Sequence, residues 1–291
     1  MTHISELLAV SATRQSFEAI LKRGENYSPH EWAQRSVDRY HASIGHLNDE
    51  DGYDCRLCLN RGYIAVLQEG SGGIPSEAMA PCRCMEIRAS IMRMRRSGLE
   101  ASIRDYTLEK FETKTDWQQK MVQAARSFLE NGVQDGRWFF MCGQPGCGKT
   151  HICTAIARKL LYDRPVHYMV WPTESKRLKA IVNDVEEYAN AMQKLETVDV
   201  LYIDDLFKPV KNDEGKIMPP NGPDMRLAFE ILNYRYINRL VTIISTEWYL
   251  DDLLDFDEAT ASRIAERSAG YKLTISRDKA RNFRIATTTM I

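Results

Sequence analysis

The sequence predicts an α/β fold: a parallel sheet flanked by helices, preceded by a small helical domain that carries a metal site. Three observations predict it. Four short apolar runs alternate with helical patterns in the second half of the chain, a glycine-rich loop follows the first run, and four cysteines are grouped between residues 55 and 84. Alternating strands and helices imply right-handed crossovers, and therefore a parallel sheet.

Length and composition limit the class of protein. A chain of 291 residues suits one core of roughly 180 residues plus a smaller module. The net charge of -1 gives no global signal for nucleic acid, so DNA contacts would need a local basic patch. The N-terminus lacks the pattern of a signal peptide, and no stretch approaches the ~18 uncharged residues of a membrane span. We therefore expect a cytoplasmic protein without a membrane partner.

Two helices are expected before the cysteines. Residues 4–21 place apolar side chains at largely helical spacing. The segment Ser28-Pro29-His30-Glu31 has the pattern of a capping box with proline at the first helical position. Ser97-Gly98 has the composition of a hinge. The sequence therefore predicts an N-terminal domain over residues 1–96 and a second domain over 97–291.

The four grouped cysteines form a C-x2-C pair and a C-x-C pair separated by 23 residues. They are Cys55, Cys58, Cys82 and Cys84. In a reducing cytosol such pairs favour metal over disulfides, and four thiolates suit the closed tetrahedral site of structural Zn²⁺. Two alternatives stay open: His41 or His46 replaces one cysteine of the tight C-x-C pair, or all four cysteines are free and reduced.

The glycine-rich loop has the pattern of a nucleotide-binding P-loop. It fits G-x-x-x-x-G-K-T, follows the apolar run 138–142 and precedes a helical run that starts at Ile152. In such a loop the backbone N–H groups surround the phosphates at a helix N-terminus, Lys149 reaches the β- and γ-phosphates, and Thr150 ligates Mg²⁺. The candidate nucleotide-binding residues here are Gly143, Pro145, Gly146, Cys147, Gly148, Lys149, Thr150 and His151.

An acidic pair indicates what the loop does with its nucleotide. The apolar run 198–203 ends in Asp204 and Asp205. We expect Asp204 to bind the cofactor by joining Thr150 in the Mg²⁺ shell, and Asp205 to polarise the attacking water as general base. The second carboxylate favours ATP hydrolysis over phosphoryl transfer to a small substrate. The sequence therefore predicts an ATPase that uses ATP and Mg²⁺.

Further motifs make the chain resemble the DnaC/DnaI-type replicative helicase loaders, which are AAA+ ATPases with an IstB-like ATP-binding core. They are Asn233-Tyr234-Arg235-Tyr236, Thr242-Ile243-Ile244-Ser245-Thr246-Glu247, Ala261-Ser262-Arg263-Ile264-Ala265-Glu266-Arg267 and Arg281-Asn282-Phe283-Arg284. The resemblance covers residues 98–287 and includes the phage and prophage branches of the family. Arg235 is either a subunit contact or a packing residue.

The resemblance implies roles for residues beyond the P-loop. Thr246 is the expected first sensor, although many relatives have asparagine where Glu247 stands. Arg263 resembles the arginine finger, which completes the ATP site of a neighbouring subunit and so implies self-association through the AAA+ domain. The alternative for Arg263 is a salt bridge on a helix surface. Either Arg281 or Arg284 is expected to face ATP.

The resemblance also implies partners. The N-terminal domain is expected to dock on the hexameric replicative helicase, with Phe17 and Trp32 as candidate contacts, and the core is expected to bind single-stranded DNA. Candidate DNA-binding residues after Trp171 are Lys176, Arg177 and Lys179. Basic side chains beside an aromatic ring suit backbone contacts and base stacking. The run Arg88 to Arg96 is a second candidate, and a solvated helix face is the alternative for both.

The expected function is ATP-dependent loading of the replicative helicase onto single-stranded DNA, in replication initiation or restart. An IstB-like transposition helper ATPase has nearly the same core motifs, and the zinc module argues against it. A nucleotide-dependent binding adaptor with little turnover is suggested by Glu247 at the sensor end. The segment Lys208 to Pro223 is predicted to be a surface insertion, and the sequence gives it no role.

Overall fold

The computed structural model describes residues 28–69, 75–95 and 105–284. The chain divides after Met85 into two compact units. The predicted helix over residues 4–21, including Phe17, and the predicted hinge at Ser97-Gly98 lie outside the described residues. The domain ranges 1–96 and 97–291 stay a prediction. Within the described part of the chain, no helix is both long and apolar enough to cross a membrane.

Over residues 28–69 and 75–85, the first unit contains two helices and a two-stranded antiparallel sheet. Their bounds are α1 (Pro29–His41), α2 (Leu47–Asp51), β1 (Tyr63–Glu69) and β2 (Pro75–Pro81). Helix α1 begins as predicted: the Ser28 hydroxyl accepts a hydrogen bond from Glu31 N, and the Glu31 carboxylate accepts one from Ser28 N. This reciprocal pair satisfies two backbone donors that a helix start leaves without partners.

The described part of the second unit is built on a five-stranded parallel sheet. The strands described in this unit are β3 (Trp138–Gly143), β4 (Val166–Val170), β5 (Val200–Leu206), β6 (Val210–Lys211), β7 (Ile217–Met218), β8 (Val241–Thr246) and β9 (Lys272–Ile275). The sheet order is β4-β5-β8-β3-β9, and the short strands β6 and β7 form a separate antiparallel ribbon. This ribbon lies in the segment predicted as a surface insertion. All neighbours in the larger sheet are parallel, which confirms the predicted fold class.

Helices cover both faces of the sheet. They are α3 (Cys84–Met94), α4 (Asp116–Ser127), α5 (Lys149–Leu160), α6 (Trp171–Ala180), α7 (Val185–Thr197), α8 (Gly222–Ile237), α9 (Leu250–Phe256) and α10 (Glu258–Arg267). Successive residues of β3 enter different cores: Phe139 and Met141 lie in one, and Trp138 and Phe140 in the other. A strand that is buried on both faces has a continuous run of apolar residues, because neither face is in contact with water.

The sheet order places three strand ends side by side. β8 lies between β5 and β3, so the carboxyl end of β8 separates the P-loop from the acidic end of β5. A register shift between Ile203 and Leu206 interrupts the pairing of β5 with β8 where the two aspartates stand. Ligands of open parallel sheets bind outside the carboxyl ends of the strands. This edge is therefore where a functional site is expected.

Candidate nucleotide-binding site and cysteine cluster

The P-loop folds tightly against its surroundings. Gly146 has φ 77° and Gly148 has φ 90°, in the left-handed region that favours glycine. A Cβ atom at Gly146 would lie 2.1 Å from Asn282 Oδ1, so a side chain at this position would displace a neighbour. Lys149 begins α5, is buried, and donates hydrogen bonds from Nζ to Gly143 O (2.7 Å) and Gln144 O (2.8 Å).

Asp204 lies at the centre of a polar group at the end of β5. Its Oδ1 accepts hydrogen bonds from Thr150 Oγ1 (3.3 Å) and from the Ser245 hydroxyl, and its Oδ2 accepts one from Tyr168 Oη (3.0 Å). Burial raises the pKa of Asp204, and the hydrogen bonds from Ser245 and the tyrosines oppose that rise. Adjacent ligands on an octahedral Mg²⁺ lie about 3 Å apart, so the separation of the Thr150 and Asp204 oxygens fits a shared Mg²⁺.

Asp205 is held in a different way from Asp204. Its backbone has φ 56°, outside the range usual for a strand, and its amide donates to Ser245 Oγ at 3.0 Å. Its carboxylate lies 3.1 Å from Lys208 Nζ, and the same ammonium also contacts the carboxylate of Glu247. Asp205, Lys208 and Glu247 all line the cavity next to the P-loop. No motif marks Lys208, because the P-loop and sensor patterns contain no residue that corresponds to it.

A cavity of about 330 Å³ adjoins the P-loop. Seven predicted site residues line it: Pro145, Gly146, Gly148, Lys149, Thr150, His151 and Asp205. Three others, Gly143, Cys147 and Asp204, are buried beside it and do not line it. The structure therefore brings the P-loop and the acidic pair together around one space.

An aromatic wall closes one side of this cavity. His151 stacks on Tyr106 with ring centroids 4.5 Å apart, and one of its ring nitrogens lies 2.9 Å from Thr107 O. Phe111 packs edge-on against His151 and also against Phe283. Burial lowers the pKa of His151, which favours a neutral ring suited to stacking on a nucleobase. Sequence reasoning missed Tyr106 and Phe111, because no motif marks the segment before α4.

The segment after β9 lies against the P-loop. Phe283 N donates to Gly146 O at 2.9 Å, and Arg284 lines the cavity. Arg281 points elsewhere: it contacts the Ser276 hydroxyl and lies 3.8 Å from a carboxylate oxygen of Asp278. Of the two terminal arginines considered in the sequence, the structure places Arg284 at the cavity.

Thr246 does not reach the cavity. Its side chain is fully buried, and its hydroxyl donates to Leu206 O (2.7 Å) and accepts from Trp248 N (3.2 Å). Its neighbours Ser245 and Glu247 make the polar contacts at this strand end. Successive residues of a strand point to opposite faces, so Ser245 and Glu247 lie on the side of the aspartates, and the sensor role of Thr246 stays a prediction.

Arg235 and Arg263, two further arginines of the motifs, differ in burial. Arg235 is fully buried and donates to Thr242 Oγ1 and to the carbonyls of Leu195, Glu196, Val198 and Val241. It is a packing residue, so the subunit-contact reading is wrong for Arg235.

Arg263 is partly exposed and lies outside the cavity. Its Nε donates to Asn233 Oδ1 at 3.0 Å, and its guanidinium lies over the rings of Phe229 and Tyr236. Within the described part of the chain Arg263 forms no ion pair, and its contact with a neighbouring subunit stays a prediction.

The residues of the predicted DNA-binding patch make other contacts in the structure. Trp171 is buried and packs edge-on against Phe207, so it cannot stack on a base. Arg177 pairs with Glu174, and Lys179 pairs with Asp224. Two of the three cations are thus already paired and Lys176 stays exposed, so this surface gives limited support to the expected DNA contact.

The four cysteines of the first unit lie together. They are all buried, and their sulfur atoms lie within 4.8 Å of one another. The Sγ atoms of Cys55 and Cys82 are 3.8 Å apart, and those of Cys58 and Cys84 are 3.5 Å apart. Tetrahedral zinc with zinc–sulfur bonds of about 2.3 Å separates its ligands by about 3.8 Å. The spacing of the thiols therefore fits Zn²⁺.

The β1–β2 hairpin explains why distant cysteines meet. Its strands pair from Tyr63 opposite Pro81 onwards, and Cys82 N donates to Gly62 O at 2.8 Å. The Gly62 amide donates to Cys58 Sγ. Burial acts to raise the pKa of the Cys58 thiol, but hydrogen bonds from Gly62 and the neighbouring thiols bring it down to about 7.

Neither candidate histidine joins the cysteines. His41 Nε2 accepts a hydrogen bond from Ala65 N at 3.3 Å. His46 is mostly exposed and lies 3.7 Å from an Asp49 carboxylate oxygen. Among the described residues, the group able to hold a metal consists of the cysteines alone.

Comparison with known proteins relates the second unit to replication ATPases. The model of the bacterial DnaA ATPase domain matches residues 103–216. The phage-like element PBSX protein XkdC of Bacillus subtilis (strain 168) is 31% identical over 240 residues, which cover 78% of this chain and 84% of XkdC. The uncharacterised protein YqaM of the same organism is 39% identical over 143 residues, covering 48% of this chain and 43% of YqaM.

A curated helicase loader is also similar. The replicative helicase loader DnaC of Buchnera aphidicola subsp. Schizaphis graminum (strain Sg) is 25% identical over 126 residues, which cover 42% of this chain and 51% of that loader. The match thus spans about half of that loader's length.

The parallel sheet and the P-loop beside an acidic strand define a nucleotide-binding protein of the AAA+ class. Within that class, the chain belongs to the DnaC/DnaI-type family, which it shares with XkdC. The resemblance stated from the motifs is confirmed.

Proposed function

We propose that this chain is an ATP-dependent loader that places the hexameric replicative DNA helicase on single-stranded DNA, in replication initiation or restart. The observation that carries the proposal is the single cavity shared by Lys149, Thr150 and Asp205, with Asp204 directly beside it. The replicative helicase loader DnaC among the relatives supports the choice of partner.

The P-loop, the acidic pair and the aromatic wall each have a role in ATP hydrolysis under this proposal. The N–H groups of the loop and Lys149 bind the phosphates, and Thr150 and Asp204 hold Mg²⁺. The ion neutralises charge on the β- and γ-phosphates when bound. Asp205 lies at the cavity with its carboxylate next to Lys208, and it accepts a proton from the attacking water. His151 and Tyr106 provide the stacked aromatic surface for the base.

A second subunit completes the proposed site. Arg263 is fixed on α10 by Asn233 and two aromatic rings, and it stays partly exposed. A guanidinium held in place before binding loses little entropy when it reaches a phosphate. The proposal therefore includes self-association through the AAA+ unit, with Arg263 acting on the neighbour's ATP.

The first unit is the proposed helicase-docking module, with Zn²⁺ held by Cys55, Cys58, Cys82 and Cys84. A small unit with a limited apolar core gains stability from a structural metal. Helix α1 buries Val37, and its Trp32 side chain is 52% exposed. An exposed tryptophan is a favoured anchor in protein interfaces, so Trp32 is a candidate contact with the helicase.

Loading onto a closed circle of single-stranded DNA tests the proposal. The full chain, the cognate hexameric helicase and ATP are mixed with the circle, and helicase retained on the DNA is measured together with phosphate release. We expect retention to require the chain and ATP. The Asp205→Asn variant is expected to lower turnover by at least about 100-fold.

Asp199, directly before β5, provides a matched control for Asp205. Asp199 is exposed and distant from the cavity lining, so Asp199→Asn is expected to behave as the wild type. Helicase retention together with wild-type turnover equal to that of Asp205→Asn would favour the adaptor with little turnover. Association with a transposase and none with the helicase would contradict the loader proposal and favour the transposition helper.

A further inference from the structure

Lys208 occupies a position that the ATPase roles above leave unexplained. Its ammonium lies 3.1 Å from Asp205 Oδ2 and contacts the Glu247 carboxylate. It also lines the cavity that contains Lys149 and Thr150. One cation thus neutralises two carboxylates where the terminal phosphate of a bound nucleotide would lie.

The backbone that carries Lys208 is fixed by several contacts. Asp205 and Phe207 both have positive φ, 56° and 53°, and Lys208 N closes the turn by donating to Asp205 O at 3.1 Å. Strained backbone of this kind persists only where the surroundings enforce it, and it concentrates at functional sites. Here the Phe207 ring packs on Trp171 and Phe256.

The side chain of Lys208 is freer to move than its backbone. It is 42% exposed and ends in an ammonium on a flexible four-carbon chain. Burial acts to lower the pKa of Lys208, but the hydrogen bond to Glu247 and the charge of Asp205 raise it overall. The side chain is therefore a protonated, movable cation on a rigid turn.

Charge determines what this cation does when nucleotide enters. The terminal phosphate of ATP brings negative charge next to Asp205 and Glu247, and like charges at such distances repel. Lys149 approaches from the P-loop side, so Lys208 is the cation on the side of the acidic strand. ADP lacks the terminal phosphate and leaves the carboxylates as the partners of Lys208.

We propose that Lys208 is a second phosphate-binding cation, which exchanges Asp205 and Glu247 for the terminal phosphate of ATP and so distinguishes ATP from ADP. This inference rests on the proposed function, because it assumes that the cavity binds ATP. The exchange also frees the Asp205 carboxylate for the attacking water. Glu247 then acts as a competitor for Lys208, in place of the commoner neutral sensor residue.

Affinities of the full chain for ADP and for a non-hydrolysable ATP analogue, measured with Mg²⁺, test the inference. The readout is the ratio of the two dissociation constants. Lys208→Met is expected to lower the preference for the ATP analogue about tenfold, because one charge-assisted contact is lost, and to leave ADP affinity unchanged. Lys208→Arg is expected to retain most of the preference. Glu247→Gln is expected to raise it, because a competitor for the cation is removed.

The control is Lys216→Met, at the exposed turn of the β6–β7 ribbon and outside the cavity lining, which is expected to leave both affinities unchanged. Equal loss of ADP and ATP-analogue affinity in Lys208→Met, or a lowered preference in Glu247→Gln, would show that Lys208 only braces the fold and would overturn the inference. A wild-type chain that binds neither nucleotide would instead defeat the proposed function.

Discussion

Gln144 and Asp278 are joined by a reciprocal pair of hydrogen bonds. Gln144 Nε2 donates to Asp278 O at 2.8 Å, and Asp278 N donates to Gln144 Oε1 at 2.7 Å. Gln144 is the second residue of the P-loop, so one amide side chain ties the loop to the segment that carries Phe283 and Arg284. The shape of the nucleotide cavity therefore depends on a residue that the P-loop pattern leaves unspecified.

The Gln144→Ala variant is expected to lose both bonds at once. Two partly buried backbone groups of residue 278 lose their side-chain partner, so the free energy of unfolding should fall by about 1 kcal/mol, measured by urea denaturation. Lys279→Ala is the control, since this exposed neighbour leaves the backbone of residue 278 and both of its bonds in place. Equal stability losses in the two variants would contradict this assignment.

Mixing two inactive variants tests whether Arg263 acts on a neighbouring subunit. Arg263→Ala keeps an intact Asp205, and Asp205→Asn keeps an intact Arg263. If the finger acts between subunits, the mixture forms some complete sites and its ATPase rate should exceed the sum of the separate rates. A mixture no faster than that sum, although native mass spectrometry detects mixed assemblies, would place Arg263 outside the ATP site.

Zinc content tests the cysteine cluster directly. Protein purified without chelators is expected to contain one zinc per chain by elemental analysis. Cys58→Ser and Cys84→Ser should each lower zinc content, because one thiolate of the closed site is lost. Cys153→Ser is the control, as that cysteine is buried beside the P-loop and outside the cluster. Wild-type protein free of zinc would rule out the site.

We expect the stability of the folded chain to depend on pH through His167. Burial and the neighbouring cations Arg93, Arg177, Arg235 and Lys194 lower the pKa of His167 to about 4. The folded state thus disfavours the proton that the unfolded chain accepts near pH 6.5. The contribution of the neutral ring to the free energy of unfolding is fully present above pH 6.5. It is lost as the pH falls towards 4, and the loss reaches about 3 kcal/mol.

The comparison of wild type with His167→Gln isolates this contribution from the titrating carboxylates. Between pH 7 and pH 4 the wild type should lose more unfolding free energy than the variant does, measured by urea denaturation at each pH. Parallel losses in both proteins would mean that His167 titrates normally in the folded state.

Sequence patterns predicted the parts of the site that lie on regular elements. The apolar run 138–142 and the loop after it predicted β3 and the P-loop, and the run before Asp204 predicted an acidic strand end at the same edge of the sheet. This succeeded because carboxyl ends of parallel strands meet at one edge, whatever the side chains between them.

The contacts that cross between distant segments were not predictable. Two examples are the pairing of Lys208 with Glu247 and the stacking of Tyr106 on His151. Both depend on how loops pack, and the spacing of apolar residues in the sequence contains no information about loop packing. The different directions of the Ser245 and Thr246 side chains were not predictable for a simpler reason. Adjacent strand residues face opposite ways, and two hydroxyl residues in succession give the sequence no means of choosing between the faces.

The buried network of Arg235 affects how related sequences should be compared. Its guanidinium donates to a threonine hydroxyl and four carbonyls, a set that lysine cannot satisfy with a single ammonium. An arginine retained at this column of an alignment would therefore report a requirement of folding. Counting it among the functional arginines would overstate how much of the ATP site two relatives have in common.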